Sequence, residues 1–112
     1  AATGVSVYRA SAIPQLANLV LFGDNPSGEV FAFSADDLPG GGQGAIHRIL
    51  FNNGEGPRTL LQLIQEKNTA DGQGVATRAD MRLGLGPNDQ VFVLNKHDGT
   101  IRLLVPEGTA LP

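Results

Sequence analysis

The chain has 112 residues, 41% of them hydrophobic and 17% charged, with a formal net charge of -3; this suffices for one core, is too short for two, and is too apolar for a disordered chain. Eight basic residues against eleven acidic ones, with no cluster of Lys or Arg, speak against a nucleic-acid partner, and the lack of cysteine excludes disulfides, thiolate catalysis and zinc-thiolate or iron–sulfur sites. No apolar run approaches the ~20 residues of a membrane-spanning helix, and Ala1-Ala2-Thr3-Gly4 reads as a processed or truncated end instead of a signal peptide.

Fifteen glycines and seven prolines fall between short apolar runs, the composition of strands joined by tight turns. Val5 to Tyr8 predicts a first strand. Leu19 to Phe22 and Val30 to Phe33 follow, joined by Gly23-Asp24-Asn25-Pro26-Ser27-Gly28-Glu29, which reads as a hairpin turn. Ala35 to Gly44, with Pro39-Gly40-Gly41-Gly42, is a loop by composition, and Ile46 to Phe51 is a further strand-like run. Thr59 to Glu66 fits an amphipathic helix through Leu60, Leu63 and Ile64 and fits a strand almost as well; its strand-rich neighbours favour the strand. After a second loop, Asn68 to Ala76, come Met81 to Leu85, Val91 to Leu94 and Ile101 to Val105, with Asp98-Gly99 supplying the positive-φ turn of a second hairpin.

The order strand, hairpin therefore occurs twice, at a spacing of roughly 70 residues against the ~40–50 of common propeller repeats, because the middle of the chain is expanded. The expectation is an all-β fold: a single unit, residues 1–112, of two antiparallel four-stranded propeller-type blades over about 4–64 and 78–106, with loops at 35–44 and 68–77. Two blades alone leave sheet faces and edges uncovered, so self-association, or rearrangement into a small barrel or sandwich, is expected of the isolated chain.

Candidate chemistry is sparse. His47 falls in a strand pattern and His97 in a hairpin turn, and the acids nearest His97, Asp89 and Asp98, occupy turn positions; no catalytic or metal set follows. Arg78, Asp80 and Arg82 alternate, so on an extended strand all three project to one face. Bordering a propeller channel, the two arginines would suit an anionic cofactor or a sugar acid; at a sheet edge, Asp80 would simply neutralise its neighbours. Gly40 to Gly44 runs into Ala45-Ile46-His47-Arg48 and not into a helix with Lys and Ser or Thr, so it is no phosphate loop. No serine stands in a nucleophile elbow.

Tyr8-Arg9-Ala10-Ser11-Ala12-Ile13-Pro14-Gln15-Leu16 leading to Leu21-Phe22-Gly23-Asp24 and Ser27-Gly28-Glu29-Val30-Phe31-Ala32-Phe33 resembles the late blades of glucose/sorbosone dehydrogenase-like propellers. Asp80-Met81-Arg82-Leu83-Gly84-Leu85-Gly86, Gln90-Val91-Phe92-Val93-Leu94 and Asp98-Gly99-Thr100-Ile101-Arg102-Leu103-Leu104 are similar to their closing blade, with Asn88-Asp89 where the family usually has Asp-Gly. The resemblance implies the C-terminal two blades of an exported, periplasmic or secreted, six-bladed oxidoreductase that acts on sugars or alcohols with pyrroloquinoline quinone. It further implies that Arg78 and Arg82 are quinone contacts, while the catalytic histidine and calcium ligands lie in earlier blades, so that the isolated chain is inactive and binds no cofactor. The implied partners are the remaining blades or copies of this chain, and a sugar ligand.

Overall fold

The computed structural model describes residues 1–38, 40–42 and 44–109. Among the described residues the fold is mostly antiparallel sheet, in three separate sheets that do not close into a barrel, with one α-helix. Strands β1 (Ala2–Tyr8), β2 (Leu19–Asp24), β3 (Val30–Ser34) and β4 (His47–Ile49) form a four-stranded meander. Strands β5 (Phe51–Asn52) and β6 (Pro57–Arg58) form a small ladder that leads into helix α1 (Leu60–Ala70). Strands β7 (Arg82–Leu85), β8 (Val91–Asn95) and β9 (Thr100–Leu103) form the second meander. The run from Ile46 to Phe51 is thus split between two sheets. Pro39 and Gln43 of the expected glycine-rich loop lie outside the described residues. No helix among the described residues is long and apolar enough to cross a membrane.

The segment from Thr59 is a helix and not a strand. Thr59 accepts from the Gln62 backbone N–H at 3.2 Å, and the Gln62 side chain accepts from the Thr59 N–H at 2.8 Å, a reciprocal capping box that satisfies two donors a helix start leaves open. Leu60, Ile64 and Asn68 then recur at four-residue spacing on the buried side. The helix runs through Ala70 and so takes the first residues of the loop expected at 68–77. The blade expected over about 78–106 has three strands among the described residues and not four, and Thr59 to Glu66, counted as strand within the first blade, is helical.

The hairpins of the two meanders have turns of the same length and matching strand register. Asn25 to Gly28 and Lys96 to Gly99 bridge their strands with four residues each, and each turn ends on a glycine at positive φ, 74° at Gly28 and 62° at Gly99. The sheets stack face to face. Leu21 and Ala32 of the first pack with Val91, Tyr8, Ile13 and Leu16. Val30 packs with Val93, Ala79 and Met81, and with Leu60 and Ile64 of α1. The approach is close: a Cβ placed on Gly4 would stand 2.8 Å from the Leu83 Cβ, and one on Gly28 would stand 2.6 Å from the Ala79 Cβ.

Side chains alternate across each strand, so each sheet also has an outer face. On the first it carries Val20, Phe22, Phe31 and Phe33, with the Phe22 and Phe31 rings stacked at 5.5 Å. On the second it carries Phe92, Leu94, Ile101 and Leu103, the last three 37%, 67% and 45% exposed.

Candidate functional site

The first hairpin turn, the segment before β7 and the second hairpin turn meet at one end of the molecule. Backbone bonds clasp them: the Ala79 N–H donates to the Pro26 carbonyl at 2.7 Å and the Met81 N–H to the Asn25 carbonyl at 3.1 Å. The Asn25 amide donates back to the Met81 carbonyl at 3.0 Å. From the other side, the buried Asn95 side chain donates to the Ala79 carbonyl and accepts from the His97 N–H at 2.9 Å. Burial of this amide is tolerable because both its ends are bonded.

The clasp leaves an open groove of about 690 Å³ lined by Arg78, Asp80, Arg82 and Lys96, with Leu94 and Ile101 among its apolar lining residues. Both sequence-predicted arginines therefore line one groove, though not for the reason expected. β7 begins only at Arg82, and Asp80 adopts φ 50°, so an irregular segment with one left-handed residue, and not strand alternation, gathers them. Asp80 is the hub: one carboxylate oxygen accepts from Arg78 Nε and Nη2 at 3.1 and 3.0 Å, and the other lies 2.7 Å from His97 Nε2. The pairing to Arg78 is the ion pair anticipated at a sheet edge; Arg82 is not part of it. Arg82 donates through Nη1 to the Met81 carbonyl at 2.8 Å, and among the described residues neither Arg82 nor Lys96 has an ion-pair partner.

Lys96 was missed as a groove residue, and His97 as a partner of Asp80. The register Arg82↔Leu94 brings the turn that follows β8 beside the start of β7, a contact that only the pairing of the strands reveals. His47 lies on β4, exposed and away from this groove. Asp98 does more than occupy a turn: its side chain is fully buried and is paired at 2.5 Å with Arg102 Nη2.

No family model, curated protein or solved structure matches the chain.

Pyrroloquinoline quinone is a polyanion, so its fit can be judged on the donors present. Arg78 is committed to Asp80, whereas the Arg82 guanidinium and the Lys96 ammonium meet no carboxylate among the described residues. The set suits one carboxylate group of such a ligand.

The hydrogen bond to His97, and after it those from Arg78, hold the Asp80 carboxyl below its ordinary value of 3.8. A carboxyl lowered on folding stabilises the folded state above the unfolded carboxylate range, and that contribution is lost as pH falls through the folded value. Asp24 acts in the same direction, held down to about 2 by the Ala1 ammonium and by Ser27. Urea midpoints measured from pH 6 down to pH 2 should therefore fall, and Asp80→Asn should flatten part of that slope. An unchanged slope in the variant would remove Asp80 from the acid response.

Proposed function

We propose that the chain is the C-terminal blade pair of an exported sugar- or alcohol-oxidising β-propeller, contributing an anion-holding groove and no catalytic residue. The observation that supports this reading is the groove itself, in which Arg82 and Lys96 stand without a counter-charge among the described residues beside the apolar Leu94 and Ile101. A carboxylate of a quinone or sugar acid would accept from the Arg82 guanidinium while Lys96 supplies a second positive charge, and Thr100 at the groove offers a hydroxyl to a polyol. A bound quinone supplies hydride acceptance from the sugar carbinol; this chain's residues bind and orient. The remaining blades would complete the ring.

The test is dye-linked aldose oxidation by the protein of the complete reading frame, with pyrroloquinoline quinone added. Arg82→Gln should weaken quinone binding about tenfold, the usual cost of losing a charged hydrogen bond. A reading frame that encodes no further blades, or a protein that oxidises no sugar, sinks the reading. A second reading, a structural module that associates with copies of itself and has no catalytic role, is favoured by a different observation: the outer face of the β7–β9 sheet exposes Leu94, Ile101 and Leu103, and that of the β1–β4 sheet carries the half-buried Phe22, Phe31 and Phe33.

A further inference from the structure

We infer that the outer face of the β7–β9 sheet docks on the outer face of the β1–β4 sheet of a second copy of this chain, repeating head to tail the packing already present within one chain. The inference rests on the second reading above and owes nothing to oxidoreductase chemistry.

The argument is one of register. Because both hairpin turns span four residues and end on a positive-φ glycine, Asp24 corresponds to Asn95 and Glu29 to Thr100. Counting back along the strands, Leu21 and Gly23 correspond to Phe92 and Leu94, and Val30 and Ala32 to Ile101 and Leu103. The first group is the face by which the first sheet meets the second. The second group is the outer face of the second sheet. In the same way Val91 and Val93, by which the second sheet meets the first, correspond to Val20 and Phe22 on the outer face of the first. Each outer face is thus the structural counterpart of one half of the interface inside the chain. One further step of the same kind of stacking brings the two counterparts together across two copies.

Both faces are apolar, as burial requires. At the turn end of the first outer face Asp24 and Glu29 are already paired, with the Ala1 ammonium and with Arg48, while at the turn end of the second Arg82 and Lys96 meet no carboxylate among the described residues; the apolar residues therefore carry the contact. The contact is heterologous, so copies add head to tail and close into a ring or run on as a filament.

The 112-residue chain is measured by light scattering across a dilution series, together with Ile101→Glu, which charges one outer face, and Phe31→Glu, which charges the other; Phe33→Glu replaces the latter if circular dichroism shows that it does not fold. The unaltered chain should form assemblies larger than a monomer that dissociate on dilution. Each variant alone should associate about a hundredfold more weakly, because a charge would be buried in an apolar contact. Mixed, the two variants should stop at a 1:1 dimer, since one intact pair of faces remains. A monomeric unaltered chain overturns the inference, as do single variants that still homodimerise or a mixture that stays monomeric. A monomer that instead binds sheets of its parent protein also overturns it, and leaves the first functional reading standing.

Discussion

Replacing Ile64 with alanine is expected to remove about 2–5 kcal/mol of stability, the range for truncating a buried aliphatic side chain where the surroundings cannot collapse. Ile64 is fully buried among Val30 of the first sheet, Val93 of the second, and Leu60, Ala79 and Met81. It therefore joins helix to both sheets at one point, with rigid partners on every side. An eleven-residue helix has little stability of its own, so the variant should lose helical signal at 222 nm together with its urea midpoint. Against a total of about 5–15 kcal/mol for a domain, this is a large fraction. A loss below about 1 kcal/mol, less than truncation into any persistent cavity costs, would mean that α1 does not seat between the sheets.

Gly28→Ala should be comparably severe for a different reason. At φ 74° an alanine meets the steric penalty of the left-handed region, about 1–2 kcal/mol. Its methyl would also stand 2.6 Å from the Cβ of Ala79, a buried atom with no flexible end to move aside. Relief would have to come from lifting the Asn25–Gly28 turn away from residues 79–81, which breaks the clasp. Together these terms amount to about 3 kcal/mol or more. Gly99→Ala separates them: φ is 62° there, and nothing lies within 4 Å of the added methyl. It should lose only the backbone part, about 1–2 kcal/mol. Equal losses at the two positions would show that close approach of the sheets plays no part.

The contrast explains what could be read from the sequence. The two hairpins are announced by local chemistry, turn residues between β-rich runs, and both appear in register. The helix carries its own local signal, Thr59 and Gln62 at capping-box spacing, which the reading of the sequence passed over; Leu60-Leu61 and Leu63-Ile64 are doublets that satisfy helix and strand periods alike, and the strand-rich setting decided for the strand. For the groove, alternate spacing and the family resemblance singled out Arg78 and Arg82. What joins them to His97 and Lys96 is the left-handed backbone at Asp80 and the pairing of β7 with β8, neither of which is encoded within a few residues. The pairing of the buried Asp98 side chain with Arg102 escaped for a related reason, since aspartate before glycine is common enough in turns to need no other account.

The clasp between the first hairpin turn and the start of β7 has a kinetic consequence. Its amide bond joins Asn25 to Met81, 56 residues apart, whereas each hairpin closes over a handful of residues. The entropy of closing that long loop must be lost before any contact between the sheets rewards it. Hairpins should thus form and dissolve many times on the way to the native state, and the slow step is the single event that brings Gly4, Gly23 and Gly28 against the segment from Ala79 to Leu83. In mutational terms, changes within the strand pairs should chiefly alter the unfolded and early states, while changes at the glycine contacts set how fast the folded chain is reached and how long it persists.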